Sequence, residues 1–288
     1  MMKFLFLIVF LVGASVQDDI NTTDDSEYLY KAIKSGKVDE VTSLIDNGTN
    51  VNAFEHSRFT PLQLAVAKGQ TEIVKILIEH GADVNDVNVE NQTLLHIAAM
   101  FDNLEICKIL ITNGTNLHAE DYRKNTPLHT AAVYGSNETV EYLIAQGANI
   151  TAEAVQKMTP LHAAAMAGNL NTCKTLIAHG ADVNARNEAN LTCLHWAAML
   201  GTKELTEYLI TQGANVNSID KRLVTPLHLA YYTSNEEVQK VLIAHHADEN
   251  AKNIDNNTPR ESYRKIGKRM KTVIIDAINE RKRIFTVL

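Results

Sequence analysis

The sequence predicts an all-α solenoid of helix-turn-helix units with hairpin-like loops and a 33-residue period. Three observations carry that expectation. Thr60, Thr93, Thr126, Thr159, Thr192, Thr225 and Thr258 recur at intervals of 33 residues with no insertion. All five prolines stand directly after one of these threonines. Every glycine beyond Gly13 falls in one of two phases of the same period: Gly36, Gly69, Gly135, Gly168, Gly201 and Gly267 in one, and Gly48, Gly81, Gly114, Gly147, Gly180 and Gly213 in the other. A domain with one closed core has no reason to keep such a spacing, whereas stacked units that cannot bury a core alone do.

Taken in order, the chain opens with Met1-Met2-Lys3, an apolar run from Phe4 to Val12, and the small residues Gly13-Ala14-Ser15. That order reads as a secretory signal peptide over residues 1–16. The apolar run is far shorter than the roughly 20 residues a helical membrane span needs, and no later stretch qualifies. Residues 17–26 form an acidic N-terminal segment. The repeat array occupies 27–288 in eight units, because Glu27 stands 33 residues before Thr60 and Leu29-Tyr30-Lys31-Ala32 keeps the register. Residues 27–59 form the N-terminal cap.

Within a unit, the Thr oxygen caps the orphan amides of a helix start, and Pro at the first helical position loses no hydrogen bond. The first phase of glycine ends this helix and the second phase ends a partner helix, in the left-handed conformation that other residues resist. An extended polar piece such as Ala82-Asp83-Val84-Asn85 then leads to the next Thr. The helix starts read Thr60-Pro61-Leu62-Gln63, Thr93-Leu94-Leu95-His96, Thr126-Pro127-Leu128-His129, Thr159-Pro160-Leu161-His162, Thr192-Cys193-Leu194-His195 and Thr225-Pro226-Leu227-His228, with Thr258-Pro259-Arg260-Glu261 a degenerate copy.

These residues resemble the ankyrin repeat, whose start is similar to Thr-Pro-Leu-His-x-Ala-Ala. The second helix, for instance Glu72 to Ile78, and the Gly-Ala-Asp-Val-Asn piece also look like that family. The resemblance implies an ankyrin-repeat solenoid, a motif His that bonds backbone near the hairpin, and two variable positions that line a groove. Asp102 and Ser234 depart from the first glycine phase and His246 from the second, which puts the local turn geometry in question.

Composition and pattern argue against chemistry. With 45% apolar and 21% charged residues the chain is ordinary globular material. A net charge of −7 does not suit nucleic acid or a membrane surface. No phosphate loop, metal-ligand cluster or nucleophile elbow occurs. His96, His129, His162, His195 and His228 share one motif position, so adjacent copies stand roughly 8–10 Å apart, too far to share a zinc ion with ligand nitrogens about 2 Å away. His80, His179 and His245 share another position and read as solvent-facing helix ends. Cys107 and Cys173 lie two periods apart, roughly 20 Å, beyond the limit of about 7 Å for a disulfide; Cys193 takes a proline position. The expectation is no enzyme, no catalytic residue, no cofactor and no metal.

Recognition is left to the surface. On a wheel of about 100° per residue the position after the Ala pair points away from the core, and reads Ala67, Met100, Val133, Met166, Met199 and Tyr232. The next reads Lys68, Phe101, Tyr134, Ala167, Leu200 and Thr233. The expected partner-binding strip is therefore Met100, Phe101, Val133, Tyr134, Met166, Met199, Leu200 and Tyr232, rimmed by loop tips His56, Val89, Tyr122, Val155, Glu188 and Lys221, with Tyr122 counted in the strip. Such a strip suits adaptable recognition. Eight Asn-x-Thr sequons occur, against roughly three by chance placement. The glycosylation candidates are Asn21, Asn47, Asn113, Asn137 and Asn149. Asn47 and Asn113 are the more telling, since Thr49 and Thr115 stand where other units carry Ala. Residues 258–288 hold nine basic and three acidic residues, which reads as a basic C-terminal cap, with docking of an acidic partner as the alternative.

The expected function is a non-enzymatic, secreted scaffold that binds another protein through the groove. The rivals are an intracellular ankyrin regulator with a misread leader, and a secreted effector resembling the toxin-type ankyrin proteins.

Overall fold

A computed structural model describes residues 24–53 and 59–265. The expected signal peptide, residues 17–23, His56, Gly267 and most of the basic cap lie outside these residues, as does the sequon at Asn21. The chain divides into two compact units, Met1–Tyr122 and Arg123–Leu288.

The first unit contains helices Asp24–Ser35, Val38–Asp46, Pro61–Lys68, Thr71–Glu79, Leu94–Met100 and Leu104–Thr112. The first helix among the described residues starts three residues ahead of Glu27, so the acidic segment runs into the fold. The second unit contains Pro127–Tyr134, Asn137–Ala145, Pro160–Ala167, Leu170–Ala178, Cys193–Leu200, Lys203–Thr211, Pro226–Tyr232, Glu236–Ala244 and Pro259–Lys265. In each unit first helices pack against first helices and second helices against second. Among the described residues there is no strand, only the isolated bridges Val87–Thr93 and Ala154–Met158. This is the expected all-α ankyrin-repeat fold.

Most of these helices run seven to nine residues, too short to hold in water alone. Stacking supplies their stability. The Ala pairs 98/99, 131/132, 164/165 and 197/198 are fully buried; their small side chains let neighbouring first helices approach closely. Leu95, Leu128, Leu161, Leu194 and Leu227 fill the space between helix pairs.

The turn between helices uses glycine in two ways. Gly168 is left-handed, with φ 76°, as expected, and Asp102 and Ser234 take the same conformation at φ 59° and 58°. Gly135 and Gly201 depart from the expectation, being extended at φ −75° and −88°. The residue that follows decides. Ser136 and Thr202 are themselves helix caps, accepting from Thr139 N–H and Leu205 N–H, and reach that geometry from an extended glycine. There glycine is needed for proximity, since a Cβ at Gly201 would lie 2.6 Å from the Ala197 carbonyl oxygen. After left-handed turns an amide stands instead: Asn169 donates to the Ala132 and Val133 carbonyls, and in the first unit Asn103 donates to Val66 O. His246, in place of the second glycine, is also left-handed.

The loops after the second helices are stitched in register. Asn50, Asp83, Asn116, Asn149, Asp182, Asn215 and Asp248 each accept from the backbone N–H two residues on, at 2.8–3.0 Å. Asn52 then bridges to the next loop, donating to Gly81 O at 3.1 Å and accepting from Asp83 N–H at 3.1 Å. Asn184 and Asn217 repeat both bonds in the second unit.

Candidate interaction surface

The motif histidines are structural. Thr192 N–H donates to His195 Nδ1 at 3.1 Å, and His195 Nε2–H donates to the Val224 carbonyl of the next repeat at 3.1 Å. His129, His162 and His228 bond Met158, Leu191 and Asn257 carbonyls in the same way. These partners assign the neutral tautomer with its proton on Nε2. Burial holds His195 down at about 4 and lowers His162 and His228. Gln63 serves the same cap in the first unit, its Oε1 accepting from Thr60 N–H. With both ring nitrogens committed to backbone, these residues offer no lone pair to a metal. His80 and His179 are exposed at helix C-caps; His245 is half-buried.

Cys107, Cys173 and Cys193 are free and buried. Loss of hydration pushes Cys107 and Cys173 up to about 12 and Cys193 higher still. None is a thiolate near neutral pH, so none is a reactive nucleophile.

The outward-facing methionine line is corrected by the structure. Met100 is only 6% exposed and Met166 only 4%, and Ala67 is buried with them. Val133, Met199 and Tyr232 are half-buried, as are Phe101, Tyr134 and Leu200. A wheel treats a helix as isolated, but these first helices stand flank to flank. A long flexible side chain on the outward face lies over its neighbours instead of standing in water. The Tyr134 hydroxyl is buried without a hydrogen-bond partner among the described residues, and burial raises its pKa. Trp196 is buried.

Exposure belongs to the loop tips. In the first unit Val89 is 61% and Tyr122 74% exposed, and Tyr122 N–H donates to the Glu90 carbonyl of the preceding loop. In the second unit Val155 and Ile254 are exposed, with Ile254 at 63%; Glu188 and Lys221 interrupt the row. The same backbone bond joins Val155 to Arg123, Glu188 to Gln156, Lys221 to Ala189 and Ile254 to Arg222. Ile219, Leu223 and Val87 add exposed apolar surface that the sequence reading missed. Ile254 was within reach of the period, since it stands 33 residues after Lys221. Leu223 sits at φ 57°, in a left-handed slot that Asn91, Asn190 and Asn256 fill elsewhere; a branched apolar residue there is strained.

Asn47, Asn113 and Asn149 are exposed and Asn137 is half-buried. Thr115 has a structural reason to replace Ala, because its buried hydroxyl donates to the Leu110 carbonyl at a helix end. Among the described residues no three His, Cys, Asp or Glu side chains gather as a metal site, and no helix is long and apolar enough to cross a membrane.

Short helix pairs locked by a repeated Thr-His cap define a helical-repeat protein whose invariant residues serve the stack. A family model described as ankyrin repeats (3 copies) matches residues 3–88, 95–187 and 161–253. The chain belongs to the ankyrin-repeat family, whose repeats mediate protein–protein interaction. It is similar to the solved human ASB11 ankyrin repeat domain, with 29% identity and a TM-score of 0.70, over 76% of this chain and 97% of that one. In all 601 solved chains match, so the fold alone does not single out a partner. No curated protein matches.

Proposed function

We propose that this chain is a non-enzymatic protein-binding scaffold acting in the secretory pathway or outside the cell, and that its loop tips make the first contact with a partner protein. The observation that carries this reading is the periodic row of exposed apolar tips, headed by Tyr122 and Val89 in the first unit and by Ile254 in the second. Tips held by backbone bonds to the preceding loop lose little conformational freedom on binding, and aromatic or branched anchors supply most interface energy. Half-buried Phe101, Val133, Tyr134, Met199, Leu200 and Tyr232 form the secondary surface. Met100 and Met166 support it from beneath.

The Lys-apolar-small order of residues 1–16 and the eight sequons support the secretory route. One observation favours the intracellular reading, namely three free thiols. Their burial weakens that objection, because an inaccessible thiol is slow to oxidise.

The test expresses the full chain in a eukaryotic cell and weighs the protein from medium and lysate. A cleaved leader and recovery from the medium are expected; an intact N-terminus in the lysate alone would overturn the route. Tyr122→Asp and Ile254→Asp should each reduce capture of whatever partner the wild type binds, while Lys240→Glu on an exposed second-helix face should not. Equal capture by all three variants would remove the tips as the site.

A further inference from the structure

We propose that Asn149 is the acceptor of an N-linked glycan. This rests on the secretory reading above and goes further, because it selects one sequon from those the sequence offers.

The selection comes from what each threonine is used for. Thr93 and Thr192 are buried helix caps, and Thr258 caps the last helix, accepting from Glu261 N–H, with Pro259 next in the chain. Thr115 is tied to Leu110 O, and Thr139 is fully buried. Each is explained by the fold. Thr49, beside exposed Asn47, is half-buried. Thr151 differs: it is exposed, and its hydroxyl bonds only Asn149 Oδ1, at 2.9 Å.

Thr151 takes no part in the stitching of the loops. It occupies the period position of Asn52, Asn184 and Asn217, which cross to the next loop with two hydrogen bonds each, while Asn85 and His118 hold the same position without such a bridge among the described residues. A threonine hydroxyl has neither the reach nor the paired donor and acceptor to make them. This repeat carries, at a position with no bond to the rest of the stack, a hydroxyl two residues after an exposed asparagine. The Asn149 amide nitrogen, like that of Asn47, donates to nothing among the described residues, whereas those of Asn113 and Asn137 bond Ile109 O and Glu141; Asn149 differs from Asn47 in that its threonine is exposed. A sugar on Asn149 displaces no contact and leaves its Oδ1 free to hold the turn through Thr151 N–H.

The reaction is glycosyl transfer from a lipid-linked oligosaccharide pyrophosphate. A bond forms between Asn149 Nδ2 and the anomeric carbon, the anomeric carbon–oxygen bond to pyrophosphate breaks, one Nδ2 proton passes to a base of the transferase, and the lipid pyrophosphate departs.

The experiment expresses the full chain in eukaryotic cells twice, once with its own first residues and once behind a strong heterologous leader, with amidase treatment in heavy-oxygen water to mark each glycosylated asparagine. Asn149 should be marked. Asn149→Asp keeps the turn, as Asp83, Asp182 and Asp248 show, and should lose one glycan step in mass. Thr151→Ser should retain the step. Thr151→Asn should lose it. An unmarked Asn149 behind the strong leader, or a mass step surviving in Asn149→Asp, would overturn the assignment. A mark behind the strong leader only would uphold the site and overturn the native secretory route.

Discussion

Met100 and Tyr122 lie in the same compact unit, and each fills a variable slot of the period with a large side chain. One is 6% exposed and the other 74%. The difference teaches that exposure follows the element that carries the side chain: helix ends are covered by adjoining helices and loop tips are not. Met100 ends a first helix flanked by another first helix, and is covered. Tyr122 sits on a loop tied to the preceding one by its own N–H to Glu90 O and by the Asn91 amide to Glu120 O, and its ring is left in water. A helical wheel points the methionine outward, but the fold covers it.

The largest effect should come from charging the covered member of this pair. Met100→Asp, or Met166→Asp in the second unit, places an unpaired carboxylate in a dry contact and should cost roughly 3–5 kcal/mol. Tyr122→Asp should stay within about 0.5 kcal/mol. Urea midpoints at neutral pH measure all three, and an undisturbed Met100→Asp would break the comparison.

A second effect sharpens it through pH. His195 is held at about 4 against 6.5 in the unfolded chain, so the unfolded state takes up the proton first as pH falls. Stability is full above about pH 6.5 and declines toward about pH 4, by about 1.4 kcal/mol per pH unit where the two states differ by a whole proton. His162 and His228 act in the same direction. His195→Gln, the residue that position 63 uses naturally, should flatten the acid limb of the unfolding midpoint. An unchanged limb would show that the cap does not titrate the fold.

The smallest effect concerns the exposed tips themselves. Leu223→Asn should stabilise by up to about 1 kcal/mol, because asparagine tolerates the left-handed backbone better. A calorimetric midpoint reads that gain, and lost partner capture by the same variant would show that the strained leucine is kept for contact.

Much of the fold was legible because a repeat multiplies weak signals. One Thr-Pro is a poor predictor of a helix start, but seven threonines at equal spacing, five of them followed by proline, leave no other reading, and the shared position of five histidines marks them as architectural before their bonds are seen. The two glycine geometries were not legible at the level of single glycines. Gly135 and Gly168 occupy the same phase, and only the residue that follows separates an extended approach from a left-handed cap. Thr115 looked like a glycan signal and serves as a helix-end donor, while Thr151, one sequon threonine among eight in the sequence, keeps an exposed hydroxyl bonded only to Asn149.

The sequence by itself determined the period, the helix starts and the buried leucine and alanine positions, because each depends on chemistry within one repeat or on its regular copy. Only the tertiary structure decided which variable side chains meet water and which hydroxyls are already spent. Those properties belong to the space between successive repeats, where a methionine can lie over an adjoining helix and a loop residue has nothing to lie over.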